Sequence, residues 1–256
     1  FVFEGFFKGF KIFIDIFCRF KYMKALILAA GKGTRMKSKI PKPLNLVYNK
    51  PIVSWIINFF KKENIDVGLI INPKDKEYFK DYKNSVDFIY QENPKGTGHA
   101  VIQAKKNILN YDHAFVFVGD SPFVDNKIIS KMYTSHLINN SDCTILSSIF
   151  SKKKFPYARI IRENNTITKF VEEKDANNLE LKINELFCSH YLFKSKILLE
   201  FLDYLNPHKE NNELYLTDIL NHLILHKKNI NSIIIKDWKR LIGLNTREDI
   251  YWIESQ

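Results

Sequence analysis

Leu28-Ala29-Ala30-Gly31-Lys32-Gly33-Thr34-Arg35-Met36, with Lys42 following in Ile40-Pro41-Lys42-Pro43-Leu44, is the stretch that decides the fold of this chain. Just before it, Lys24-Ala25-Leu26-Ile27-Leu28 is a short apolar run of the kind buried in a parallel sheet, so the glycines fall at a strand end, where ligands of α/β proteins sit. Gly31 and Gly33 lack a Cβ, which opens positive φ to the backbone and lets its N–H groups close on phosphate oxygens. Arg35 and Lys42 add two cations. The stretch predicts a cradle for a nucleoside triphosphate; an ordinary strand-to-helix turn would need the glycines and neither cation. It is neither a Walker loop nor a dinucleotide fingerprint, because the Gly-Lys-Ser/Thr ending and the three-glycine spacing are both missing.

Working outward, the pattern alternates. Strands are expected at 24–30, 66–71, 86–90 and 114–118, and helices at about 51–63, 75–82 and 97–109. Strand and helix in turn mean βαβ units and a mostly parallel, Rossmann-like sheet with helices on both faces. After about residue 140 the character changes to β-type segments at 143–150, 158–162, 166–171 and 185–193, with Asn164-Asn165 as a hairpin turn. Helices at 195–205 and 215–228, a strand at 232–235 and a helix from Thr246 complete the reading. No repeat or low-complexity linker divides residues 23–256, so a nucleotide-binding half and a mixed β half are read as one α/β domain.

Composition narrows the classes. With 256 residues, 45% hydrophobic and 26% charged, the chain can bury one large core. Its net charge of +11 could suit a polyanion, yet the lysines are scattered instead of clustered, and the excess of Lys, Ile, Asn and Phe is what AT-rich coding favours. Nucleic acid is therefore not the expected partner. Three cysteines, Cys18, Cys143 and Cys188, without CxxC spacing, argue against a disulfide framework or a zinc site and fit the cytoplasm.

Residues 1–22 stand apart as an N-terminal extension. Phe3, Phe6, Phe7, Phe10, Phe13, Ile14 and Phe17 recur at helical spacing, so an amphipathic helix is expected there, with a peripheral membrane anchor as its minor reading. No uncharged run approaches the ~20 residues of a membrane span, and no secretory signal pattern is present, so stable membrane insertion is not expected. The favoured expectation is that the natural protein begins at Met23, directly before the first strand, and that this extension is not native; the amphipathic helix is the second reading.

Asp120, in Val118-Gly119-Asp120-Ser121-Pro122, projects from the end of an apolar strand toward the same cradle. A carboxylate facing a triphosphate needs a cation between them, and Mg²⁺ takes one or two carboxylates plus phosphate oxygens. Asp120 is thus the candidate metal ligand, with helix capping as the alternative reading.

The loop from Leu28 to Arg35, with its two alanines before the first glycine, resembles the signature of the sugar-phosphate nucleotidyltransferases, and most of all the bacterial N-acetylglucosamine-1-phosphate uridyltransferases. The resemblance runs from residue 23 to about 255. It implies that Leu28, Ala29, Ala30, Gly31, Gly33 and Thr34 bind the nucleotide and that Arg35 and Lys42 are catalytic. In Gln91-Glu92-Asn93-Pro94-Lys95-Gly96-Thr97-Gly98-His99-Ala100, Gln91 stands five residues before Gly96, the spacing that family uses on the uracil side; Thr97 follows as a further nucleotide residue or as the cap of the next helix. His99 is expected to pack or hydrogen-bond in the first helical turn rather than act as a base. Asn245, in Gly243-Leu244-Asn245-Thr246, matches the second metal ligand; taken alone it reads as the N-cap of the last helix.

The same resemblance places Tyr157, Ala158, Glu172 and Phe187 around a sugar. Tyr157-Ala158-Arg159 stands where the family has Tyr-Gly-Arg, and Phe170-Val171-Glu172-Glu173-Lys174-Asp175-Ala176 matches its Val-Glu-x-Lys-Asp-Ala. Asn211 to Ile219 resembles a further segment in which Thr217 and Asp218 are structural. Two departures fall in this half: Ala158 replaces a glycine, and Glu185-Leu186-Phe187-Cys188-Ser189 stands where Glu-Ile-Asn-Thr-Gly is expected, so Phe187 replaces a polar sugar contact. Members often continue into a left-handed β-helix with acetyltransferase activity, and this sequence stops before any hexapeptide repeat. The implied activity is Mg²⁺-dependent transfer of uridylyl from UTP to a sugar 1-phosphate, giving UDP-N-acetylglucosamine and pyrophosphate. Another nucleotide sugar for surface polysaccharide is the runner-up. A non-catalytic nucleotide-sugar sensor is the rival class, and retention of Asp120, Lys42 and Arg35 speaks against it. The oligomeric state is left open.

Overall fold

A computed structural model describes residues 22–150 and 155–256; the amphipathic pattern of the extension and Cys18 lie outside the described residues. The central strand β1 is Met23–Leu28, and its apolar residues divide between the two faces of the sheet. Ala25 and Ile27 join one buried cluster and Leu26 the other, the period-2 alternation of a strand covered on both sides. Helix α1, Ile52–Lys62, buries Ile52, Val53, Ile56, Ile57, Phe59 and Phe60 on the first face. Phe60 meets Phe115 and Phe117 at ring separations of 5.4 and 5.3 Å.

Strand β2, Asp66–Ile71, and strand β4, His113–Val118, flank β1 in parallel, and β3, Asp87–Tyr90, extends β2. Helices α2, Thr97–Gln103, and α3, Lys105–Ile108, cover the second face, the expected single helix at 97–109 being broken at Ala104. The expected helix at 75–82 is a 3₁₀ stretch from Pro73 to Tyr82, which Asn72 caps by accepting from Lys74 N. Helix α4, Asn126–Ile138, has no counterpart in the sequence reading. Its buried Ile129, Met132, Tyr133 and His136 stand at the i, i+3, i+4, i+7 spacing of an amphipathic helix, a signal the sequence reading did not use, and Asp125, not Asp120, caps it by accepting from Ile128 N at 3.0 Å.

The second half joins the same sheet. Strand β5, Cys143–Ile149, and the hairpin of β6, Ala158–Glu163, with β7, Thr166–Val171, lead to β8, Glu185–Lys194. The hairpin turn is Asn164-Asn165, both at positive φ, as the sequence predicts. Strand β8 runs antiparallel between β4 and β5, and its first residues also pair with β6. The register slips between Phe187 and Tyr191, where Ser189 takes φ +58°, the bulge conformation that a glycine adopts without strain. Helices α5, Ser195–Phe201, and α6, Thr217–Leu225, complete the second face; β9, Ile230–Ile234, pairs parallel with β5 at the edge, and α7, Arg247–Glu254, packs on the first face. The sheet has nine strands, with the order β9-β5-β8-β4-β1-β2-β3 and the β6-β7 hairpin attached through β8.

One ionic knot holds the mixed half together. Glu185 accepts from Arg162 Nε at 2.7 Å, from Arg162 Nη2 at 2.8 Å and from Ser147 Oγ at 2.8 Å, and Arg162 Nη2 also donates to Ser232 Oγ at 2.7 Å. Removing the carboxylate strands a part-buried guanidinium. Glu185→Ala is therefore expected to lower stability by about 2 kcal/mol or more in urea denaturation; a loss below about 0.5 kcal/mol would show that water replaces the carboxylate.

Candidate active site

The C-terminal ends of β1, β4 and β3 open on one edge of the sheet, where a parallel sheet offers its binding crevice. Leu28 and Val118 are register partners on adjacent strands, so the chains that leave them diverge around a common space. Gly119 N donates to Leu28 O at 2.9 Å and Gln91 N to Ile71 O at 2.9 Å, which brings the glycine loop, Asp120 and Gln91 to the same edge. Gly119 is needed for this approach, because a Cβ there would lie 2.8 Å from Leu28 O. The loop itself exposes Gly31 and turns at Gly33 with φ +57°. A Cβ on Gly33 would meet the Lys42 Cβ at 2.5 Å, so the second glycine makes room for the lysine stem as much as for a phosphate.

Two clefts share this edge. The first, of about 290 Å³, is lined by Leu28, Ala29, Gly31, Gly33, Thr34, Arg35, Lys42, Pro43, Gly119, Asp120 and Asn245. Within it the Lys42 ammonium donates to Asp120 Oδ2 and, at 2.8 Å, to Asn245 Oδ1, which also accepts from Arg35 Nη2 at 2.9 Å. Four residues that the sequence singled out thus form one contact group. Asn245 is not the helix cap: Thr246 takes that place in a capping box with Asp249, and Asn245 is left to face the cleft while its Nδ2 donates to Gly243 O at 3.1 Å.

The second cleft, of about 440 Å³, continues from the first along Leu28, Ala30, Gly31, Lys32 and Thr34 to Gln91, Pro94, Gly96, Thr97, Ala100, Val118, Asp120 and Glu213. Gln91 is 3% exposed and its Nε2 donates to Gly96 O at 3.2 Å and approaches His99 Nδ1 at 2.8 Å. Burial and the Lys95 ammonium lower the pKa of His99, so the ring is neutral at pH 7. Gly96, at φ +94°, serves a neighbour the sequence reading had not foreseen: a Cβ there would meet Leu214 O at 2.4 Å. Thr97 is not a cap either. Its Oγ1 accepts from Leu216 N at 3.0 Å, while Gly98 N donates to Leu214 O and Leu214 N to Lys95 O, both at 2.8 Å. The 214–216 segment is therefore sewn to the start of α2.

The residues read as sugar-binding do not gather equally. Tyr157 accepts at its hydroxyl from Gly243 N at 2.8 Å, one residue pair away from Asn245, and burial raises its pKa well above the usual phenol value. Glu172 receives a hydrogen bond from the Thr217 hydroxyl; burial first, then the Asp218 and Asp175 carboxylates, raise its pKa above that of an ordinary glutamate. None of Tyr157, Ala158, Glu172 and Phe187 lines either cleft. The Phe187 ring is 1% exposed, edge-on to Phe170 at 5.9 Å and Tyr191 at 4.8 Å. The ring expected beside a sugar is closed into the apolar core instead, because an aromatic ring gains more from that core than a polar side chain at the bulge would.

Sequence reasoning missed Gly243 and Glu213. A Cβ on Gly243 would stand 2.7 Å from Asp120 Oδ1, so this glycine seats the carboxylate. Glu213 comes from a distant loop, inside the 211–219 segment whose resemblance singled out only Thr217 and Asp218.

This arrangement, a glycine-rich loop at a strand end with two cations, a carboxylate and an amide converging on it, defines a nucleotide-handling site, and the chain belongs to the nucleotidyl transferase family, whose pattern it matches over residues 24–253. Among its relatives, the bifunctional protein GlmU of Clostridium tetani is 37% identical over 238 residues, and that of Aquifex aeolicus 34% over 244 residues; each match covers 91% of this chain. The chain spans about half the length of these relatives, 52% and 53% respectively. A solved structure of UDP-glucose pyrophosphorylase complexed with UDP-glucose superposes with a TM-score of 0.74 at 22% identity, covering 92% of this chain and 98% of that one. Among the described residues no helix is long and apolar enough to cross a membrane.

Gly33→Ala tests the cradle. The methyl group combines a strained φ with displacement of Lys42, so nucleoside triphosphate binding by calorimetry is expected to weaken at least about tenfold with the far-ultraviolet circular dichroism unchanged. Unaltered affinity would show that Lys42 is not held by this glycine.

Proposed function

We propose that this domain is a uridylyltransferase that joins UTP to a sugar 1-phosphate, N-acetylglucosamine 1-phosphate in the preferred reading, and releases pyrophosphate. The observation that carries the reading is the convergence of Arg35, Lys42, Asp120 and Asn245 on a glycine loop whose cleft runs on to Gln91 and Gly96. A phosphate oxygen of the sugar 1-phosphate attacks the α-phosphorus of UTP in line; the bond from the α-phosphorus to the bridging oxygen breaks, and pyrophosphate leaves with that oxygen. The nucleophile is already ionised, so the protein supplies position and charge compensation rather than a general base. Lys42 and Arg35 stabilise negative charge on the α-phosphate and the departing pyrophosphate.

Asp120 and Asn245 fit a Mg²⁺ ion. They offer two hard oxygens on the cleft wall, now spanned by the Lys42 ammonium, and Gly243 leaves room for the carboxylate that any Cβ would crowd. Among the described residues no cluster of three or more His, Cys, Asp or Glu could hold a metal by itself. When bound, the ion neutralises charge shared by the triphosphate and the sugar phosphate. Lys42, relieved of its two partners, is then available to the phosphates. A cytoplasmic setting belongs to this reading and is supported by the buried free thiols of Cys143 and Cys188. The domain boundary at residue 23 is part of it too.

Two features support the choice of sugar in opposite directions. The GlmU relatives and the match of Tyr157 and Glu172 favour N-acetylglucosamine 1-phosphate. The burial of Phe187 in place of a polar contact favours a second reading, a different sugar 1-phosphate. Initial rates of pyrophosphate release with N-acetylglucosamine, glucose and galactose 1-phosphates decide between them. N-Acetylglucosamine 1-phosphate is expected to be best, and a preference of about tenfold for an unacetylated sugar reverses the assignment.

Asp120→Asn is expected to abolish Mg²⁺-dependent turnover while preserving the circular dichroism spectrum. Lys42→Ala should lower kcat/KM at least about tenfold, equivalent to about 1.4 kcal/mol of transition-state stabilisation. Near-normal turnover by folded Asp120→Asn protein would exclude this site.

A further inference from the structure

The buried Gln91 amide carries more information than its place in the cleft. Its Nε2 lies 3.2 Å from Gly96 O and 2.8 Å from His99 Nδ1. A peptide carbonyl can only accept, so the end of the amide that faces Gly96 is the NH₂ group. Its other proton then points at His99 Nδ1. An amide nitrogen cannot accept, so Nδ1 must present a lone pair, and the His99 ring is the neutral tautomer protonated on Nε2. That second nitrogen lies 3.3 Å from Gln103 Nε2, one helical turn on; two donors cannot bond, so the exposed Gln103 amide must turn its Oε1 to the ring to complete a chain from Gly96 through Gln91 and His99 to Gln103. The lowered pKa of His99 agrees with the neutral ring. With both amide protons engaged, Gln91 turns toward a ligand only an acceptor, Oε1.

We propose that His99 is a positioning residue that locks the Gln91 amide with Oε1 toward the base, so that the cleft selects a uracil-type edge, with its N3–H donor, over a cytosine-type edge, which has a lone pair at N3. The inference rests on the uridylyl reading of the cleft and adds to it the residue that sets base choice. Without the Nδ1 lone pair the amide can rotate, because Gly96 O alone holds one of its two protons. A rotated amide meets cytosine as well as uracil. Loss of His99 therefore relaxes selectivity before it lowers turnover.

Two measurements on the full chain test this. In ¹⁵N-histidine-labelled protein near pH 7.5, the His99 signals, assigned by their disappearance in His99→Asn, are expected to show a protonated Nε2 and an unprotonated Nδ1; a protonated Nδ1 overturns the inference. In calorimetry, UTP is expected to bind wild type at least about tenfold tighter than CTP. His99→Phe, with an isosteric ring but no acceptor, should shrink that ratio at least about fivefold with kcat for UTP changed less than KM. His99→Asn, whose Oδ1 can take the place of Nδ1, should keep most of it. An unchanged ratio in folded His99→Phe, or an equal loss in both variants, overturns the inference, and if His99→Phe does not fold, the ring tautomer decides. The uridylyl reading fails separately, as absence of pyrophosphate release from UTP with every sugar 1-phosphate.

Discussion

The ammonium of Lys42, held between the Asp120 carboxylate and the Asn245 carbonyl oxygen, joins three segments far apart in sequence at the one edge where the parallel strands end. Two of those segments leave adjacent strands, and the third arrives from the end of β9 by way of Leu244, whose N–H donates to Asp120 O at 2.8 Å. The contact exists only because three glycines keep the space open: Gly33 under the lysine stem, Gly119 against Leu28 and Gly243 against Asp120. A positive side chain resting on a carboxylate also explains how cations gather at one edge without destabilising it: part-buried like charges would repel, whereas Lys42 is neutralised by Asp120.

The two halves of the protein meet this constraint differently. The nucleotide half is built from local rules: apolar strands, short loops and glycines at strand ends. The mixed half depends on β8, which pairs with three other strands and must change register to do so. Its bulge puts Ser189 in the left-handed region and turns Phe187 inward among Phe170 and Tyr191. Replacing a polar residue by phenylalanine at such a bulge strengthens the core and removes a hydrogen-bonding group from the neighbourhood of Tyr157 and Glu172. The Glu185–Arg162 pair, tied to β5 through Ser147 and to β9 through Ser232, offsets the irregular pairing nearby.

The 214–216 segment adds a further tie between the halves. Leu214 exchanges hydrogen bonds with Lys95 and Gly98, and Leu216 donates to Thr97. The same short stretch leads into α6, where Thr217 bonds Glu172 and Tyr191. The Gln91 side of the cleft and the Glu172 neighbourhood are thus tied to the same four consecutive residues, 214–217.

Sequence by itself determined the α/β class, the parallel core and most of the nucleotide edge, because these follow from short-range chemistry. Apolar runs of strand length, the glycines at Gly31, Gly33 and Gly96, the hairpin at Asn164-Asn165 and the two cations after the loop are each readable within a few residues. Helix α4 was legible too, in the helical spacing of Ile129, Met132, Tyr133 and His136, although the sequence reading did not use it. Tertiary structure alone decided what a side chain meets across the fold. Thr97 and Asn245 look like helix caps in sequence, yet one holds Leu216 and the other faces Asp120 across the cleft. Gly96 lines the cleft and also makes room for Leu214, and Phe187, which the resemblance places around a sugar, is core. Contacts of this kind join residues up to 210 positions apart, and no local pattern encodes them because the partner is set by strand order and register, not by neighbours in the chain.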